Sequence, residues 1–216
     1  MSIAKLSRNR ILRTAVSLAD QGGLESLTMR RLARKLGVEA MSLYNHVANK
    51  RDLVDGMVDL VVGEIVLPES GDWDAAIREC AISAHETFLR HPWACNLVMQ
   101  SSPPRIEDNP RLRYMDWLLG RLREAGFSPV LTYHAYHVLD SHILGFTLWE
   151  LGHAGAARGF DETVGAGLLD QLRSSDLPHL AEHAEQHLEG GVDDEREFDF
   201  ALDLILDGLK RAWTGS

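Results

Sequence analysis

A chain of 216 residues with 45% hydrophobic content is long enough to bury a real core, which excludes a disordered tail or a disulfide-stapled miniprotein. Its most apolar window, Leu53 to Leu67, is interrupted by Asp55, Asp59 and Glu64, and the opening MSIAKLSRNR runs straight into charge, so neither a membrane span nor a secretion signal is expected. The net charge of −10 is unevenly spread: residues 1–51 carry ten Lys/Arg against Asp20, Glu25 and Glu39, a local +7, leaving −17 for the rest. That split suits a protein that presents one end to a polyanion and keeps the other away from it.

Glycines and prolines divide the chain into helix-length pieces, none with the alternating β-branched pattern of a strand, so an all-α fold is expected. Ser7 reads as an N-cap for a helix to Gln21, ahead of Gly22 and Gly23, with Ile11, Leu12, Ala15, Val16, Leu18 and Ala19 on its apolar face. A second helix runs from Thr28 to Gly37 and a short third from Glu39 to His46. A fourth, from Asn49 to Pro68, carries Leu53, Met57, Leu60, Val61 and Ile65. Pro68 to Asp72 reads as a hinge between a basic module (1–51, with 49–67 as the link) and an acidic body (72–216).

In the body, helices are expected over 74–90 and 93–100, with a proline-bearing loop from Ser101 to Asp108. Asn109-Pro110 and Ser128-Pro129 pair an N-cap with a proline at the first helical position, opening helices over 110–125 and 129–153. Gly152 to Gly167 is glycine-rich and expected to be loose, followed by helices over 177–189 and 195–213. Cys80 and Cys95 lie singly in apolar surroundings and read as buried thiols, consistent with a cytoplasmic protein.

Within the basic module, Ala33-xxx-Gly37-xxxxx-Leu43 has the spacing of a helix-turn-helix. The small residue lets two helices cross closely, the glycine supplies a left-handed turn, and the leucine plugs the second helix onto the first. The chemistry around it suits DNA. Lys50 puts an ammonium at the start of the fourth helix, where helix amides already favour a phosphate. Thr28, Ser42 and Tyr44 offer hydroxyls to phosphate oxygens, and Arg30 can reach a guanine edge in a bidentate fork. Asn45 or His46 can meet bases or phosphates, and Ala40 with Met41 a thymine methyl.

The stretch from Leu27 to Leu53 follows the pattern LTxRxLAxxLGVxxxxLYxHVxNKxxL and resembles the N-terminal signature of the TetR (tetracycline repressor) family. AGFSP from Ala125, LGFTLWELGH from Leu144 and FALDLILDGLKRAW from Phe200 extend a weaker likeness into the body. The resemblance implies a three-helix reader docked on a fourth helix, a helical regulatory body, and a homodimer whose recognition helices enter successive major grooves of a palindromic operator. It places DNA contacts at Arg30, Ala40, Met41, Ser42, Tyr44, Asn45, His46 and Lys50. Positions that tetracycline-binding members use for their drug–magnesium ligand fall on Cys80, Ala84 and Val98, so that ligand is not implied.

Helices 129–153 and 195–213 have more apolar positions than one core face needs and are expected to build the dimer interface. Trp93, Met99, Trp117, Tyr133, His134, Tyr136, His137, Phe146 and Trp149 mix aromatic bulk with polar tips, as a pocket for an unidentified small-molecule effector would. His179, His183 and His187 recur every fourth residue, and His134 with His137 makes a further pair. Ordinary surface histidines are the expectation, with no metal or cofactor, and a metal- or pH-responsive regulator is the alternative. A helical enzyme is disfavoured because no Walker loop, strand-borne GxGxxG, HExxH, GxSxG or carboxylate pair is found. The expected function is therefore a ligand-responsive DNA-binding repressor.

Overall fold

The computed structural model describes residues 6–100, 109–157, 162–188 and 194–214, without the side chains of 99–100, 154–157, 162–166, 168, 187–188 and 194–196. The described residues form helices joined by turns and loops, with no strand among them. They fall into two compact units, residues 1–147 and 148–216.

The first unit begins with α1 (Arg8–Gly22), where the Ser7 hydroxyl accepts from the Arg10 amide and all six expected apolar residues are buried. A 3-10 turn, Leu24–Ser26, leads to α2 (Met29–Leu36), which is capped by Thr28 and closed by Gly37 at φ +72°. A side chain at that φ would be strained, which is why a glycine stands there. Next comes α3 (Ala40–Leu43), shorter than the expected 39–46: Tyr44 to His46 form hydrogen-bonded turns, with the His46 and Val47 amides both donating to the Leu43 carbonyl. Then α4 (Lys50–Val62), N-capped by Asn49, stops at Gly63 rather than at Pro68. The apolar pattern continues through the buried Ile65, which is why periodicity alone overran the helix end.

The α1, α2 and α3 helices and the start of α4 share one core. Ile11, Leu27, Leu32, Leu43, Leu53 and Met57 are each fully buried, and each contributes roughly 1.5–3 kcal/mol by leaving water. The crossing of α1 and α4 is close at Gly56, where an added Cβ would come within 2.9 Å of Leu12. In turn α4 packs on α5 (Trp73–Arg90), α6 (Pro92–Gln100) and α7 (Pro110–Glu124). Asn109 caps α7, accepting from the Arg111 and Leu112 amides ahead of the proline start. The expected loop Ser101–Asp108 lies outside the described residues.

From Pro129 the helix α8 runs to Ala157, four residues beyond the expected end. Residues 152–157 are thus helical, and α9 (Glu162–Ser174) occupies most of the remaining stretch expected to be loose. A single glycine within a helix costs only about 1 kcal/mol, so glycine content alone did not rule a helix out. In the second unit α9 packs on α10 (Pro178–Leu188), with Arg173 and Glu185 paired at 2.8 Å. The last helix, α11 (Asp194–Thr214), buries Phe198, Leu202, Leu206 and Leu209. No helix among the described residues is long and apolar enough to cross a membrane.

Candidate nucleic-acid interface

Leu43 holds α3 down with no exposed surface, while Met41 beside it is 74% exposed and Tyr44 44%. One turn of helix therefore anchors inward through leucine and shows an aromatic and a thioether outward. Ala40, Ser42 and His46 are half-buried, and Asn45 is exposed. On α2, Thr28 and Arg30 are exposed at the N-terminal end, where the Thr28 hydroxyl is engaged by the Arg31 amide at 3.1 Å. Lys50 is exposed at the first position of α4. The expected contact residues thus come together around α3 and its two flanking helix starts.

A fixture that sequence reasoning missed holds this surface in place. The Arg8 guanidinium at the start of α1 grips Asp52 of α4 with both ends, at 2.8 and 3.0 Å, and also donates to the His46 carbonyl at 2.9 Å. Asp52 in turn accepts from the Ala48 amide at 2.8 Å, and the Asn49 side chain accepts from the Asp52 amide at 2.9 Å. The hydrogen bond to Asp52 leads in pushing the Arg8 pKa up, against its partial burial. One consequence is electrostatic: a carboxylate at the N-terminus of α4 would repel phosphate, and Arg8 neutralises it there. The Asn49-x-x-Asp52 spacing was the available signal, because it approximates a capping box.

The reader joins the body through further polar bonds. Asp59 of α4 accepts from Arg111 Nε at 2.6 Å and from Asn109 Nδ2 at 3.3 Å, at the start of α7. Asp20 of α1 and Glu64, just after α4, both meet His91, between α5 and α6.

Residues expected to line an effector pocket are dispersed. The Trp93 indole donates to Asp20 at 2.7 Å, and the Trp117 indole to the Pro68 carbonyl at 3.2 Å. Tyr133, His134 and His137 are exposed on α8, and Trp149 is exposed with its ring 4.1 Å from His153. Phe146 is half-buried against His85 and His142, and the side chain of Met99 lies outside the described ones. An open groove of about 420 Å³ beside α5, lined by Val66, Arg78, Ile82 and Glu86 among others, contains none of the expected residues.

The body also holds a polar centre that was not anticipated. Tyr114 of α7 hydrogen-bonds Asp140 of α8, near Tyr136 and Cys80, and burial pushes the Asp140 carboxyl up while His137 and Tyr114 pull it down. Burial likewise pushes Tyr136 to about 12, Cys80 to about 12 and Cys95 to about 11, so both cysteines are held as thiols at neutral pH. Among the described residues no group of three or more His, Cys, Asp or Glu is placed to hold a metal. His179 and His183 are exposed on α10, and the His187 side chain lies outside the described ones.

A helix-turn-helix with an exposed polar face, in a cationic segment on a helical body, defines a DNA-binding regulator. Comparison with known proteins gives the same class. Residues 11–57 match the family model described as bacterial regulatory proteins, tetR family, and residues 67–213 match the tetracyclin repressor-like C-terminal domain. The chain belongs to the TetR family of transcriptional regulators.

Among its relatives, the HTH-type transcriptional repressor DrrR1 of Streptomyces coeruleorubidus is 32% identical, across 95% of this chain and 77% of the relative. The class D tetracycline repressor of Escherichia coli is 28% identical, across 96% of this chain and 91% of the relative. The TetR family protein ActR of Streptomyces coelicolor, solved in complex with actinorhodin, superposes with a TM-score of 0.77 at 27% identity, across 97% of this chain and 99% of ActR.

Proposed function

We propose that this protein is a repressor that binds a palindromic operator as a homodimer and is released by a small-molecule effector. The observation that carries the reading is α3 itself, plugged by Leu43 and presenting Met41 and Tyr44 to solvent within a +7 segment. Residues 1–51 form the reader, 49–67 the link, and 72–216 the regulatory and dimerisation domain. Arg30 reads a base edge. Ala40, Met41, Asn45 and His46 complete the readout, and Thr28, Ser42, Tyr44 and Lys50 fix the register on phosphates.

Support for a dimer comes from apolar surface left on two long helices. Val130, Tyr133 and Val138 are exposed on α8, and Phe200 and Leu204 on α11 are 66% and 58% exposed. Four helices, two from each copy, would cover these faces and set the readers about 34–36 Å apart, one turn of DNA. Tyr133, His134, His137 and Trp149 suit that dimer face better than a pocket, which leaves Trp117 and Phe146 as the better placed of the nine residues expected to meet the effector. The ActR complex with actinorhodin supports an effector-binding body.

In vitro selection from a random duplex library, followed by titration at two salt concentrations, tests the reading. An inverted repeat should emerge, and affinity should fall by roughly a thousandfold or more between 50 and 200 mM salt. Failure to enrich any duplex, or a flat salt response, overturns it.

A further inference from the structure

The corner between α5 and α6 touches the reader from two directions through one side chain. His91 is 9% exposed and ends α5, its amide donating to the Thr87 carbonyl at 3.1 Å; its own carbonyl accepts from the Ala94 amide at 2.8 Å as α6 begins at Pro92. The backbone at this point is therefore fixed by both helices and by a proline. From it the imidazole reaches Asp20 Oδ1 on α1 with Nδ1 at 2.8 Å, and Glu64 Oε2, two residues past the end of α4, with Nε2 at 3.3 Å. A neutral ring donates to one of these carboxylates and an imidazolium to both.

Neighbours reinforce each end. The Trp93 indole donates to the same Asp20 oxygen at 2.7 Å, and Arg90 reaches the same Glu64 oxygen at 3.4 Å and Thr87 Oγ1 at 3.1 Å. Within the reader, Asp20 and Glu64 belong to the last turn of α1 and the exit of α4, the two helices that cross at Gly56. Contacts to two crossing helices fix an orientation, whereas contact with one would leave a pivot.

We infer that His91 is a positioning residue that sets the angle of the reader on the body, and with it the half-site spacing that the dimer accepts. This rests on the dimeric operator reading above. DNA contact itself resides in α2, α3 and the start of α4, so loosening the corner leaves each reader able to bind its own half-site. What is lost is the agreement between two readers, which a palindrome rewards and a single half-site does not.

The test uses the full-length protein and the palindrome selected in vitro by the wild type. Affinity is measured for that duplex, for the same duplex with one half scrambled, and for duplexes with the half-sites moved by one and two base pairs. His91→Phe should bind the half-scrambled duplex within twofold of wild type, bind the palindrome at least tenfold more weakly, and discriminate less between spacings. Asp20→Asn and Trp93→Phe, which alter one end of the same junction, should shift the palindrome several-fold in the same direction; they carry the test if His91→Phe does not fold. Equal losses on the whole and half-scrambled duplexes would assign His91 a merely structural role, and unchanged spacing preference in all three variants would remove the inference outright. If the wild type selects no duplex, the operator reading falls first and takes this inference with it; a selected palindrome with indifferent variants sinks the inference alone.

Discussion

Inside the reader, α1 to α4 meet through side chains with no exposed surface, whereas where the reader meets the body the polar bonds end on carboxylates that reach solvent, Asp20, Asp59 and Glu64 among them. A close-packed apolar interior resists small distortions and behaves as one piece. Partly exposed polar bonds contribute about 1 kcal/mol each and can be exchanged for water at little net cost. The reader is thus a stiff body whose polar bonds to the rest of the molecule, beside the buried packing of α4, are of modest strength. That scale falls within the roughly 1–3 kcal/mol typical of coupling between two sites in a protein.

Cutting into the interior should have the largest effect. Leu43→Ala removes the plug that seats α3, and about 2–5 kcal/mol of stability should go with it, read as a lower midpoint in urea denaturation, together with loss of operator binding. A cost under about 1 kcal/mol would show that α3 is seated by other contacts. At the exposed face the effect moves from stability to binding. Arg30→Ala should leave the denaturation midpoint in place, weaken operator binding by about 1–3 kcal/mol and relax the base preference at one position of each half-site. Lys50→Ala should instead weaken all duplexes alike and lower the salt slope by about 1 per reader. Identical behaviour of the two variants would erase the division between reading and positioning.

The reader was largely legible in the sequence because its determinants are local. Ser7, Thr28 and Asn49 each cap the helix that follows, Gly37 has the positive φ its place between α2 and α3 requires, and Leu43 sits at the expected buried position. The end of α4 and the length of α3 were missed because buried apolar residues continue past both, and periodicity does not distinguish a last helical turn from a packed loop. Pairings across long separations are not readable from local pattern: Arg8 with Asp52 is 44 residues apart, where the spacing marked only the Asp52 end, and Asp20 with His91 is 71. Arg8 registered only as one positive charge, and Trp93 as a pocket aromatic, although its indole is bonded to α1.

The latch at the reader's edge offers a smaller test of the same contrast. Asp52→Asn weakens the grip of Arg8 but keeps a side-chain oxygen for the Ala48 amide. Because Arg8 and Asp52 are 43% and 24% exposed, solvent screens the pair, and the stability cost should be about 1 kcal/mol or less. The asparagine also leaves Arg8 uncompensated beside the start of α4, so non-specific DNA binding at low salt should be retained or slightly strengthened. A loss of more than about 2 kcal/mol would mean that this pair belongs with the rigid interior and not with the adjustable edge.

The smallest expected effect lies in the body, at the carboxyl of Asp140. Burial holds its pKa above the ordinary carboxylate value, with His137 and the Tyr114 hydroxyl pulling the other way. Between the ordinary value and the raised one the folded protein binds more protons than the unfolded chain, so stability falls as pH rises through that window. Below the ordinary value Asp140 is neutral in both states and this penalty is absent; above the raised one it is fully present. Asp140→Asn keeps an oxygen to accept from Tyr114 while removing the charge that burial disfavours. Melting temperatures measured from pH 4 to pH 8 should therefore show a variant-minus-wild-type difference that grows with pH and then levels. A difference that shrinks over the same range would mean that the hydrogen bond and His137 outweigh burial, and that the ionised carboxylate is a stabilising part of the body.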